Sequence, residues 1–447
     1  MIAKKKVLAG PLKILDSLSS SFLIAVLLAV GRSGSLLAEG EPAVYATWLQ
    51  AEQSKESQAF RARMAEGESL DEASKKFLQE TALPQLAVDA NRPTIERTRR
   101  RMREILFNNI DDQKTHDAVS QLVLNFMAQL ARDNDVEPVV QVNAMLLIGE
   151  LKSKDGKPWL PAVAPLARDA SDPQMPMANR IAAVVGLTRH VEALVKADDA
   201  AVESLAQTVV PAILKILAEP AGMENAVEAD WIASRAAGLV PILSRISSSK
   251  EVARAIGKSL NDPKRSLDTR IRLAAVLAAT AKKGSGVDVA KTIDSIRALA
   301  IESLEQDKKV TDIQQFEREY RNFFTGVELR QPVEAALEET IHEQIYRRAA
   351  WRLVCLADAV LSADSKTGLS LLGGEPSHAA RQLATILRES GFSLDANPTT
   401  QSLLESLAAL QAPADPGPGG IPSNPNAQPA DPQPVKPSAV PNNPFGP

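Results

Sequence analysis

The chain has 447 residues, of which 45% are hydrophobic but only 4% aromatic, with a formal net charge of −4 and a single cysteine, Cys355. That length exceeds one ordinary domain of about 150 residues unless the chain forms an elongated array without a single central core. The charge argues against a general nucleic-acid binder, and one thiol excludes an intramolecular disulfide and any zinc site built on several thiolates.

Ala and Leu, strong helix formers, dominate over the aromatic and β-branched residues that strands favour, so the composition predicts an all-α fold. At the N-terminus, Lys4, Lys5, Lys6 and Lys13 precede the apolar run Phe22 to Val30, and Ala38 stands before Glu39. Residues 1–38 therefore read as a signal peptide cleaved near Ala38, which sends the chain to the periplasm, the cell envelope or the medium. The apolar run is about half of the ~20 residues that a membrane-spanning helix needs. Left uncleaved, the leader would instead anchor the chain to a membrane.

Residues 39–92 form an expected N-terminal helical capping region, with Ser69 as the N-cap of a helix running through Phe77 and Leu78. Pro93 suits the first position of the helix that follows. There Ile95, Met102, Ile105 and Leu106 share one side, and Arg97, Arg99, Arg100, Arg101 and Arg103 cover the rest. This arginine cluster is a candidate partner-binding patch for an acidic partner, a phosphate polymer or an anionic membrane surface. The plainer reading is a solvated face balanced by Glu96 and Glu104.

A helix capped by Thr115 is stopped by Asp133, Asn134 and Asp135. Glu137 to Leu151 then places Val140, Ala144, Leu147, Ile148 and Leu151 on one helical stripe. Pro158 to Ala167 is expected to pair back onto it. Asp172 and Pro173 turn the chain into a second copy at ANRIAAVVGLTRHV, and Glu203 to Ala218 answers that one. Lys250 to Leu260 and Leu267 to Lys282 form a later pair around Asp262 and Pro263. Residues 308–331, with Phe316, Tyr320, Phe323 and Phe324, read as an irregular insertion. Helices resume over Val333 to Leu361, and residues 392–411 include a terminal helix. Twelve prolines among residues 413–447 forbid helix, so 412–447 is expected to be a disordered, polyproline-like tail serving as a spacer.

Across residues 93–391 the helix pairs resemble HEAT repeats. In that family a turn bearing Asp and Pro leads into a second helix with Arg, small residues and Leu-Gly. Asp135, Pro138, Val140, Ala144, Ile148 and Gly149 follow the pattern, with Gln141 where the family has Arg. The next copy keeps Asp172, Pro173, Arg180, Ala183 and Leu187, and later copies keep Arg235, Arg270 and Arg347. The separation from Gln141 to Arg180 is 39 residues, close to the family's repeat length of about 40 to 47. The resemblance implies a right-handed α-solenoid of antiparallel helix pairs. It also implies repeat-stabilising roles for Asp172 with Arg180, and for Arg235 and Arg270, and a curved surface that holds proteins.

No residue pattern points to catalysis, a metal or a cofactor. His116, His190, His342 and His378 lie far apart in sequence, and GxxxxGK[ST], GxSxG and CxxCH patterns are absent from the chain. Expected function is thus an exported, non-enzymatic scaffold with a protein partner whose identity the residues do not specify; they specify no oligomeric state either. Two other functions suit the same residues: a hydrolase or maturation factor with a site assembled between repeats, and an envelope organiser tethered by its leader.

Overall fold

The computed structural model describes residues 51–193, 199–220, 226–243, 250–281, 285–325, 332–361, 368–369 and 374–412. The leader, its cleavage point and the proline-rich tail from 413 lie outside the described residues. Within them the fold is all-helical, with one isolated bridge between Lys152 and Pro158.

The first helices are α1 (Lys55–Ala65) and α2 (Glu72–Lys76), the latter continued by a wide π-type turn and two tight turns up to Thr94. Asp71, rather than Ser69, caps α2 by accepting the Ser74 backbone N–H at 2.7 Å. Pro93 falls in the tight turn just before α3 (Ile95–Phe107). Asp112 rather than Thr115 caps α4 (Gln113–Leu130), accepting the Thr115 N–H at 2.7 Å. A carboxylate at a helix N-terminus also opposes the positive end of the helix dipole.

There follow α5 (Pro138–Ile148), α6 (Val163–Ala170), α7 (Met177–Ala193), α8 (Asp199–Ala218), α9 (Ala226–Gly238) and the short α10 (Val240–Leu243). The chain continues through α11 (Lys250–Leu260), α12 (Leu267–Thr280), α13 (Val289–Thr325), α14 (Pro332–Leu361), α15 (Gly374–Ala396) and α16 (Thr400–Gln411). The stretch expected to be irregular from 308 is helical as far as Thr325. Phe316, Tyr320 and Phe323 are spaced by four and three residues, which is helical spacing.

Packing follows two rows. Helices α3, α5, α7, α9, α12 and α14 each touch the next along one row, and α6, α8 and α11 form a second. Across the rows the pairs are α4 with α5, α6 with α7, α8 with α9, α11 with α12, and α13 with α14. The segment that contains α6 therefore packs forward on α7, one helix out of phase with the pairing expected from the sequence.

Helix α5 buries more than one stripe. Gln141, Asn143, Met145 and Leu146 are buried together with Val140, Ala144, Leu147 and Ile148. It is enclosed because α3, α4 and α7 all pack on it. Its buried amides are satisfied locally: Gln141 Nε2 donates to the Asp133 carbonyl at 2.6 Å, and Asn143 Nδ2 donates to the Val139 carbonyl at 2.8 Å. At the α5–α7 crossing the backbones meet at two glycines. A Cβ on Gly149 would lie 2.6 Å from the Gly186 Cα, which no real side chain tolerates.

Candidate interaction surface

Arg180 and Arg270 tie helix pairs together, by a route other than the one implied by the resemblance, whereas Arg347 pairs with Glu343 on its own helix at 2.5 Å. Arg180 Nε donates to the Ala170 carbonyl at 3.1 Å, and its Nη2 pairs with the Glu219 carboxylate. Asp172 is not the partner of Arg180; its Oδ1 accepts the Gln174 N–H at 3.0 Å within the turn. Arg270 repeats the arrangement, with Nε on the Leu260 carbonyl at 3.1 Å and Nη1 on Glu302 at 2.6 Å. In both, a guanidinium meets the last carbonyls of the preceding helix, where the helix dipole favours a cation. It also reaches a carboxylate one helix pair further on. Gln141, which lacks the charge, donates to the Asp133 carbonyl in the turn after α4 and accepts Asn179 Nδ2 at 3.3 Å. Asn179 Nδ2 also donates to the Ala131 carbonyl at the end of α4, at 2.9 Å.

Two further ion pairs lie in the interior. Arg265 Nη1 meets Asp230 at 3.0 Å, and the second Asp230 oxygen accepts the Ser266 N–H at 2.6 Å. Asp307 receives Arg348 at 2.9 Å and Arg352 at 3.1 Å. Burial pushes the Asp307 carboxyl above the usual carboxylate range, against the pull of Arg352. Such pairs fix relative helix positions more than they add stability, since desolvation offsets their attraction.

The arginines of α3 divide into two sets. Arg97, Arg100 and Arg101 are exposed, and Arg101 pairs with Glu104 at 2.9 Å and Glu52 at 3.4 Å. Arg99 and Arg103 instead turn along the helix row toward α5. Arg99 Nη1 donates to Asn143 Oδ1 at 3.0 Å. Arg99 and Arg103 both approach Glu150 at 3.5 Å, and Arg189, at the far end of α7, approaches the same carboxylate at 3.4 Å. Burial, with Arg189 and Arg103 nearby, holds the Arg99 guanidinium below its ordinary pKa despite Glu150.

Along the α5, α7, α9 and α12 row several partly exposed positions are apolar or basic, with Glu192, Glu228 and the exposed Asp268 toward the helix ends. Val142, Val185 and Ala275 are half-buried, as are Arg235 and Arg272. Arg272 lies close enough to Arg235 and Asp268 to feel both charges, and burial keeps its pKa below the ordinary value. Glu150 and Arg189 were not singled out from sequence. A signal was present, because their 39-residue separation equals that of Arg180 from Glu219.

Residues with intrinsic reactivity are placed as packing groups. His190 is buried, and desolvation lowers its pKa to about 4 although it bonds to the Ile148 carbonyl. His116 packs against Phe107 with the rings tilted by 41° and their centroids 5.1 Å apart. Burial pushes the Cys355 thiol up to about 12, which suppresses the reactive thiolate. His342 lies outside the described side chains. Among the described residues no set of three or more His, Cys, Asp or Glu converges as a metal site, and no helix is long and apolar enough to cross a membrane.

Comparison with known proteins adds no family. No protein-family model matches the chain, and neither a curated protein nor a solved structure matches it.

Proposed function

We propose that the two rows constitute a right-handed α-solenoid of the HEAT type, and that the chain is an exported, non-enzymatic scaffold holding another protein on its second-helix row. The observation that carries this reading is the half-buried band on α5, α7, α9 and α12. It sets the apolar Val142, Val185 and Ala275 beside Arg235 and Arg272, a composition suited to contact with a protein. The leader, with its basic segment, apolar run and Ala38, supports export.

A site-resolved crosslinking experiment tests it. A photoreactive residue is placed at Val185 or Ala275 on the second-helix row, or at Glu203 or Arg254 on the opposite row, in cells carrying the full chain. The scaffold reading expects a crosslinked protein from Val185 and Ala275 only. Crosslinks confined to Glu203 and Arg254 would move the interface to the other row and overturn it. N-terminal sequencing of the native protein should start at Glu39; an intact Met1 on membrane-bound material would favour the tethered organiser.

A further inference from the structure

Three guanidiniums, from Arg99, Arg103 and Arg189, share the single carboxylate of Glu150 at 3.4–3.5 Å. Those distances are longer than the 2.7–2.9 Å typical of a well-formed charge-assisted bond, so Glu150 is divided among the three rather than committed to one. Positive charge remains in excess even with Glu96, one turn earlier on α3, counted against it. Arg99 Nε is buried with no hydrogen-bond partner, whereas Arg103 and Arg189 keep 43% and 45% of their side chains exposed. The cluster therefore has both an electrostatic demand for another anion and open edges through which one could approach.

The same helix row continues to Arg235 on α9 and Arg272 on α12, with Val142, Val185 and Ala275 half-buried among them. Neighbouring helices lie about 8–10 Å apart. An extended peptide rises about 3.3 Å per residue, so it crosses one helix every three residues or so. Resting on the scaffold reading above, we propose that this band binds an extended acidic peptide segment of the partner protein, whose carboxylates recur at every third residue. The intervening side chains of such a peptide meet the valines and Ala275. A phosphate polymer has no apolar groups to place there, and a flat layer of lipid headgroups does not reach Arg99, whose side chain is only 11% exposed.

The test uses the chain from residue 39 onward and a fluorescent synthetic peptide with Glu at every third position, followed by anisotropy. A control peptide carries the same residues with its Glu in one block, and inorganic polyphosphate is titrated separately. The spaced peptide should bind, should weaken as NaCl screens the pairs, and should outcompete the block peptide. Arg103→Glu and Arg189→Glu should each weaken it about tenfold or more, with the helical circular dichroism signal retained, while Arg254→Glu on the opposite row leaves it unaffected. Equal binding of the two peptides, insensitivity to both arginine reversals, or binding of polyphosphate without the peptide overturns the inference. If Val185 and Ala275 still crosslink a protein while the peptide fails to bind, the scaffold reading survives and the acidic partner does not.

Discussion

Replacing Gly149 by Ala is the sharpest test of how α5 and α7 approach each other. Gly149 has φ −68°, which any residue adopts, so backbone freedom does not explain the glycine. Space does: the added methyl would stand 2.6 Å from the Gly186 Cα, and backbone cannot swing aside as a side chain can. The helices must separate by roughly 0.5–1 Å, which forfeits a quarter to a half of the dispersion attraction of each contact along the seam. Overpacking of this kind costs about 1–3 kcal/mol, and the entropy saved by Gly→Ala offsets about 0.4–1 of it. The expected net loss is about 1–2 kcal/mol, read by urea unfolding and by faster hydrogen exchange of α5 and α7 amides. Gly257 in α11 has nothing within 4 Å of an added Cβ, so Gly257→Ala should instead stabilise by about 0.5–1 kcal/mol. Gly186→Ala meets the same seam, with the Gly149 Cα at 2.9 Å, so the double variant should lose less than the sum of the single ones. A Gly149→Ala protein as stable as Gly257→Ala would mean that the two helices cross further apart than described.

Other consequences are as open to measurement. His190 is neutral in the fold, its pKa lowered mainly by burial to about 4, whereas an unfolded histidine titrates near 6.5. Acid therefore protonates the unfolded chain first. Stability should fall from about pH 6.5 to about pH 4, by on the order of 3 kcal/mol, and His190→Gln should flatten that part of the pH–stability curve. Leu147 is fully buried in α5, and Leu147→Asp should cost on the order of 4 kcal/mol by placing an unpaired charge there; an unchanged melting curve would contradict the enclosed α5. Arg265→Ala leaves the buried Asp230 carboxylate without its cation and should cost about 3–5 kcal/mol in denaturant, with partial recovery when Asp230→Asn is added.

Helices were legible where a stripe repeats, as at Val140, Ala144 and Leu147, because periodicity records which side is buried. Enclosure of α5 was not legible in that stripe, although Met145 and Leu146 extend its apolar surface, because Gln141 and Asn143 look like a solvated side and are in fact buried. The helical spacing of Phe316, Tyr320 and Phe323 was outweighed by the polar residues between them. Pairing phase was harder to extract. Helix α6 is bounded by comparable turns on both sides, and only packing decides that it joins α7. The arginine cluster of α3 was visible as charge but not as geometry. Its division depends on Glu150 and Arg189, which enter from helices one and two steps along the row. Likewise Arg180 was identifiable as a tie, whereas its partner Glu219 lies 39 residues onward and the nearer Asp172 is occupied by its own turn.

Glu219 closes the end of α8 and is grasped from both directions. Its carboxylate holds Arg180 of α7, and its backbone carbonyl accepts Arg265 Nη2, from the turn before α12, at 3.0 Å. The α8–α9 pair is thereby tied at one point to both its neighbours, the α6–α7 pair and the α11–α12 pair. Pulled from its ends, the molecule should therefore release this middle portion in one long step, after the flanking helices have already given way in short ones.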